Sequence, residues 1–181
     1  VRVDGELYWD GGILSNTPTD AIFDDNPRKN SLIFAVHLWN PMGEEPGTIW
    51  EVLNRQKDIQ YSSRVASHIT RQRQLHHMRH IINDLAKLLP DDVRKSPGVR
   101  ELTAYGCPTV MHVVRLLAPQ LENENHTKDV DFSPFSIRAR WAAGYEKTMR
   151  ALDQAPWEND FHPLEGLILH EPTTELLQAA E

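Results

Sequence analysis

The stretch SLIFAVHLW, residues 31–39, decides the fold. Nearly every position is apolar, where a half-exposed strand would alternate. A strand apolar on both faces lies in a sheet covered on both sides, which is the habit of parallel sheets flanked by helices. Just upstream, GELYW (5–9) reads as a short strand. It runs into the triplet Asp10-Gly11-Gly12. NTPTD (16–20) then reads as a helix start, with Thr17 as N-cap, Pro18 at the first helical position and Asp20 in the first turn. NPRKN (26–30) breaks that helix by Pro27. Strand, turn, helix and strand in this order predict an α/β fold with a crossover connection and parallel pairing.

Downstream, NPMGEEPG (40–47) is a loop. Thr48 and Glu51 have the spacing of a capping box, and a long helical stretch follows to Leu89, with a break expected near YSSR. Leu75, Met78, Ile81, Ile82, Leu85, Leu88 and Leu89 form one apolar stripe on it, and Pro90 stops it. Residues 91–108 read as loop. TVMHVVRLLA (109–118) is a strand, and ENENHTKDVD (122–131) a polar loop. Ser133 and Pro134 open another helix, with Ile137, Trp141, Tyr145 and Leu152 on one face. Past Pro156 only short apolar patches remain, which predicts a poorly ordered tail.

Composition bounds the function. The 181 residues carry 40% hydrophobic side chains, enough for one core. The net charge of −7 disfavours nucleic acid as a partner, because that requires clustered Lys and Arg. Cys107 is the only cysteine, which excludes a disulfide framework and a cysteine-ligated zinc cluster and fits a reducing compartment. No apolar run approaches the ~18 residues of a membrane span.

The triplet at Asp10 has two readings. Asp and Gly are turn formers, so a turn is one. The other is a functional acid, because α/β sheets place ligand sites at the carboxyl ends of their strands. YWDGGILSNTP resembles the Asp motif of the patatin-like phospholipases. In that family Asp-Gly-Gly or Asp-Gly-Ala follows a core strand and Asn-x-Pro lies just beyond. Asp10, Gly11, Gly12, Asn16 and Pro18 match. WEVLNRQKDIQYSSR, KDVDFSPFS and RWAAGYEKTMRAL are similar to the C-terminal region of a bacterial subgroup of the family.

The resemblance implies part of a patatin-like three-layer α/β/α sandwich with added C-terminal helices. It divides the chain into 1–47, the end of the catalytic core; 48–157, a helical and mixed region packed on it; and 158–181, a tail. It implies hydrolysis of lipid acyl esters by a Ser–Asp dyad, with Asp10 as proton acceptor, Gly11 and Gly12 shaping its loop, and no metal or organic cofactor. A cytoplasmic location with peripheral membrane contact follows as the expectation.

The chain departs from the family pattern in one respect. No serine is preceded two positions earlier by glycine, so Gly-x-Ser-x-Gly is missing, as is a glycine-rich oxyanion loop. The resemblance puts both upstream of Val1, and the chain alone is expected not to turn over. The rival reading is a non-catalytic lipid-binding or protein-interaction module that keeps the fold without the nucleophile.

Other residues have duller readings. His76 and His80, four apart in HHMRH, have the spacing of a metal pair. They lack a third ligand and lie off the apolar stripe, which predicts that they are solvated. A Ser-His-Asp triad through His37 or His112 is a weak rival to the dyad. Arg64, Arg71, Arg73 and Arg79 read as a solvated face, with contact to anionic headgroups as the sharper alternative. Trp39, Trp50, Trp141 and Trp157 are assigned to core or to an acyl channel.

Overall fold

The computed structural model describes residues 1–13, 15–43, 45–119, 121, 128 and 130–171, without the side chains of 13 and 63–66. Strands β1 (Arg2–Val3) and β2 (Glu6–Leu7) make a small antiparallel hairpin. Asp4 and Gly5 form its turn, both at positive φ, as tight hairpin turns require. This hairpin stands where GELYW predicts one strand beside β3. A one-turn helix α1 (Asp20–Phe23) follows. Its N-cap is Thr19, not Thr17, because the Thr17 hydroxyl donates to the Val36 carbonyl at 3.3 Å instead of capping.

Strand β3 (Ser31–His37) pairs in parallel with β4 (Met111–Leu117), and β4 pairs in parallel with β5 (Leu167–His170), giving the order β3-β4-β5. The expected α/β class and parallel pairing hold. The partner of β3 is the strand near residue 111, not the one near residue 6. Strand β5 corrects the expectation of a poorly ordered tail. Leu167 and Ile168 are buried, and four residues suffice for a strand once β4 offers a free edge. Residues 172–181 lie outside the described residues.

Helix α2 (Ile49–Leu88) runs unbroken for 40 residues, so the break expected near YSSR is not there. The Thr48–Glu51 capping box is present in both directions. Short helices α3 (Asp91–Arg94) and α4 (Pro97–Thr103) occupy part of the segment read as loop, and α5 (Pro134–Gln154) is capped by Ser133. Most of ENENHTKDVD lies outside the described residues.

Strand β4, at the centre of the sheet, is covered on both faces. On one, Ile33, Ala35, Met111, Val113 and Leu167 pack with Phe23 of α1 and Ile69 of α2. On the other, Val114 and Leu116 pack with Ala151 of α5 and with Trp157. Along β3 burial alternates: Ile33, Ala35 and His37 are buried, while Leu32, Phe34, Val36 and Leu38 are exposed. The strand's sequence is thus more apolar than the surroundings this chain gives it.

Both long helices turn an unexpected face to the sheet. Among the described side chains of α2 the buried ones are Asp58, Ser62, Ile69, Gln72, His76 and His80. Leu75, Met78, Leu85 and Leu88 of the apolar stripe are 41–80% exposed. His76 and His80 are therefore buried, not solvated. For His80 the physical reason is pairing: its Nδ1 lies 3.1 Å from the Pro163 carbonyl and its Nε2 2.8 Å from that of Thr109, whereas His76 packs edge-on against Phe23 with its ring centroid 6.3 Å away. Buried polar rings are tolerated when hydrogen-bonded. On α5 the face of Ile137, Trp141, Tyr145 and Leu152 is exposed, and the small residue Ala151 is buried. No described helix is long and apolar enough to cross a membrane.

Candidate active site

The turn after β2 is built around Asp10. Its Oδ1 accepts from the Gly12 amide at 2.8 Å, and Gly11–Ile13 forms a single 3-10 turn. An acid that closes its own turn two residues on is an Asx turn. The turn reading and the functional reading of the triplet are thus compatible, since only Oδ1 is used in the turn. Gly12 stands at a close approach. A Cβ there would lie 3.1 Å from Oδ1 of Asn16 and 3.2 Å from Oδ1 of Asp10. Gly11 has no such constraint, as a Cβ there would meet open space.

The Thr17 bond to Val36 ties this turn to the carboxyl end of β3. There a cavity of about 600 Å³ opens, lined by Asp10, Gly12 and Asn16. Its apolar wall comes from Val36 and Leu38 at the end of β3 and from Leu116 and Leu117 at the end of β4. This is the end of a parallel sheet where ligand sites form, and the volume falls within the ~300–1,000 Å³ of small-molecule sites.

Trp39 and Tyr61 form one side of the cavity, their rings stacked 4.9 Å apart. Lys128 lies over the Trp39 ring at 5.1 Å and pairs with buried Asp58 at 2.6 Å. From α2, Arg55 donates to the carbonyls of Asn40 and Pro41 and so fixes the loop after β3. Helix α5 contributes Arg140, Ala143, Gly144 and Lys147. Alanine and glycine on that face leave room between the helix and the strands.

Asp10, Gly12 and Asn16 come together here; Gly11 is in the turn but does not line the cavity. Neither His37 nor His112 lines it. His37 is buried with Nε2 unpartnered among the described residues, and burial, then the nearby Arg115 guanidinium, lowers its pKa to about 4. His112 Nδ1 lies 2.9 Å from Nε2 of His170, and burial lowers the pKa of each. The metal reading of His76 and His80 fails because both nitrogens of His80 face carbonyls. Among the described residues no three His, Cys, Asp or Glu side chains are grouped to hold a metal ion.

Of the tryptophans, Trp39 lines the cavity, and Trp157 packs edge-on against Phe34 at 5.7 Å. Trp50 and Trp141 are exposed. On the arginine face, Arg73 lies 3.9 Å from Glu165 and Arg79 is half-buried. The side chain of Arg64 lies outside the described residues. The sequence reading missed Tyr61, Lys128, Arg140 and Lys147. For the last two a signal existed: Arg140, Ala143, Gly144 and Lys147 recur at helical spacing.

A family model described as patatin phospholipase matches residues 59–164. No curated protein and no solved structure gives a significant match. The matched stretch holds most of α2, all of β4 and α5, and the approach to β5; it begins downstream of Asp10. It spans more than half of the chain, and the chain belongs to the patatin phospholipase family, a family of lipid hydrolases.

Proposed function

We propose that this chain carries the acid half of a Ser–Asp dyad that hydrolyses lipid acyl esters. The carrying observation is the position of Asp10, whose carboxylate is fixed by Gly12 on the rim of a largely apolar cavity at the strand ends. A serine hydroxyl is a poor nucleophile until a neighbour accepts its proton. With Oδ1 held by the turn, Oδ2 of Asp10 is the acceptor. The serine oxygen adds to the acyl carbonyl, and backbone amides stabilise the resulting oxyanion. Collapse expels the alcohol, which takes up the proton, and water then cleaves the acyl-enzyme by the same steps. The serine and the oxyanion amides come from a Gly-x-Ser-x-Gly elbow and a glycine-rich loop that these 181 residues do not contain. Residues 1–47 are in this reading the end of the catalytic core, and 48–157 pack on it.

The test is esterase activity of the intact protein on p-nitrophenyl acyl esters. Asp10→Asn is expected to remove most of it, and wild-type rates in that variant would reject the role. The second reading, a lipid-binding module without catalysis, draws on the missing elbow. Absence of Gly-x-Ser-x-Gly from the reading frame upstream of Val1 would favour it over the dyad.

A further inference from the structure

The cavity lined by Asp10 is also lined by three cations, Lys128, Arg140 and Lys147. Lys128 is paired with Asp58 at 2.6 Å, and Arg140 donates to the Asp131 carbonyl at 3.4 Å. Lys147 stands differently. It is half-buried on the cavity wall, and Arg150 and Arg115 are close enough for their charges to act on it. Those two are matched to their own acids, Arg150 to Glu146 at 2.7 Å and Arg115 to Glu171 at 2.6 Å. Burial first, then the two guanidiniums, hold the Lys147 ammonium below the usual lysine range. A half-buried ammonium among cations is stabilised by an incoming anion. The neighbouring wall of Val36, Leu38, Leu116 and Leu117 suits an acyl chain.

We propose that Lys147 anchors the anionic headgroup of an acyl amphiphile and so makes the cavity selective for anionic over neutral lipids. This rests on the reading of the cavity as an acyl-ester site. Arg140 lies two helical turns earlier, about 10 Å along the axis, and adds positive potential on the same side. Asp10 lines the cavity from another element and repels an anion, so the headgroup is expected on the α5 side.

The experiment is isothermal titration of the intact protein with three ligands below their micelle concentrations: dodecyl phosphate, dodecyl maltoside and inorganic phosphate. Dodecyl phosphate is expected to bind at least ~10-fold more tightly than either of the others, the size of one charge-assisted contact. Lys147→Gln should weaken dodecyl phosphate by a similar ~10-fold and leave the maltoside unchanged. Lys95→Gln, on an exposed lysine of the α3–α4 corner, should change neither. Equal affinity for phosphate and maltoside amphiphiles would overturn the proposal, as would a Lys147→Gln variant without effect. Tight binding of inorganic phosphate alone would replace the lipid site with a simple anion site. If Lys147→Gln does not fold, Lys147→Arg should keep the preference for dodecyl phosphate, and its loss there counts against the proposal. Asp10→Asn should tighten dodecyl phosphate binding. Failure of the dyad reading would appear in hydrolysis by the intact protein and leave these affinities unmoved.

Discussion

Lys128 and Asp58 form an ion pair at 2.6 Å in which both side chains are at least nine-tenths buried. The pair joins a residue on the first half of α2 to one 70 positions later, beside the cavity. The Trp39 ring under the ammonium adds a cation–π contact. Breaking such a pair from one side leaves a buried charge alone, which costs about 3–5 kcal/mol. Asp58→Ala is therefore expected to lower the urea midpoint sharply. The double variant Asp58→Leu with Lys128→Met should recover most of the loss, since replacing both partners leaves no stranded charge. Equal stability of Asp58→Ala and wild type would show that the pair does not hold the structure.

Stability should fall with acid before the carboxylates titrate. His37 and His76 are buried, and burial first of all lowers the pKa of each to about 4, against 6.5 in the unfolded chain. Between those two values the unfolded state binds more protons, so stability is full above pH 6.5 and is lost as pH drops towards 4. Each ring contributes on the order of 2 kcal/mol. Urea titrations at pH 7 and pH 4.5 check this. His76→Phe should flatten the dependence by about half, and an unchanged slope would remove His76 from the account.

Gly166 sits where no side chain fits. A Cβ there would lie 2.6 Å from two atoms of the His80 ring, and that ring is held between the Pro163 and Thr109 carbonyls. Gly166 also accepts from the Met111 amide at 3.0 Å at the start of the β4–β5 ladder. Gly166→Ala should therefore pry α2 from the sheet and lower the thermal midpoint, an overpacking cost of about 1–3 kcal/mol. Gly98→Ala, at a position with open space around it, is the comparison and should be close to neutral.

What the sequence disclosed and what it hid differ in kind. The strands at 31–37 and 111–117 and the Thr48 capping box are local patterns, and they stand where the residues point. The faces of α2 and α5 do not. Helical spacing tells which residues share a side; it does not say which side meets the sheet. His80 is inside because Pro163 and Thr109 offer it acceptors from far along the chain, and the Leu75–Leu88 stripe stays outside. Strand β5 was hidden for a similar reason, because four residues become a strand only beside β4. At the candidate site, Asp10 was legible from its motif. Lys128 was not, since its partner Asp58 is fixed by tertiary structure alone.

The turn at Asp10 gives the last prediction. Gly12 does two things there: its amide holds Oδ1, and its missing side chain leaves space for the Asp10 carboxylate and Asn16. Contacts of 3.1 and 3.2 Å are tight for a Cβ, so Gly12→Ala must displace one or both side chains by a few tenths of an ångström. The turn is exposed, so the fold should tolerate this with a stability change within about 1 kcal/mol. Catalysis should not, because a proton acceptor acts only within hydrogen-bond reach of its donor. In the intact protein Gly12→Ala is expected to lower kcat for p-nitrophenyl ester hydrolysis by roughly 10-fold or more, with the thermal midpoint little changed. Gly11→Ala, at the neighbouring glycine with no close contact, should keep most of the activity. Equal rates in the two variants would separate the glycine pair from the placement of Asp10.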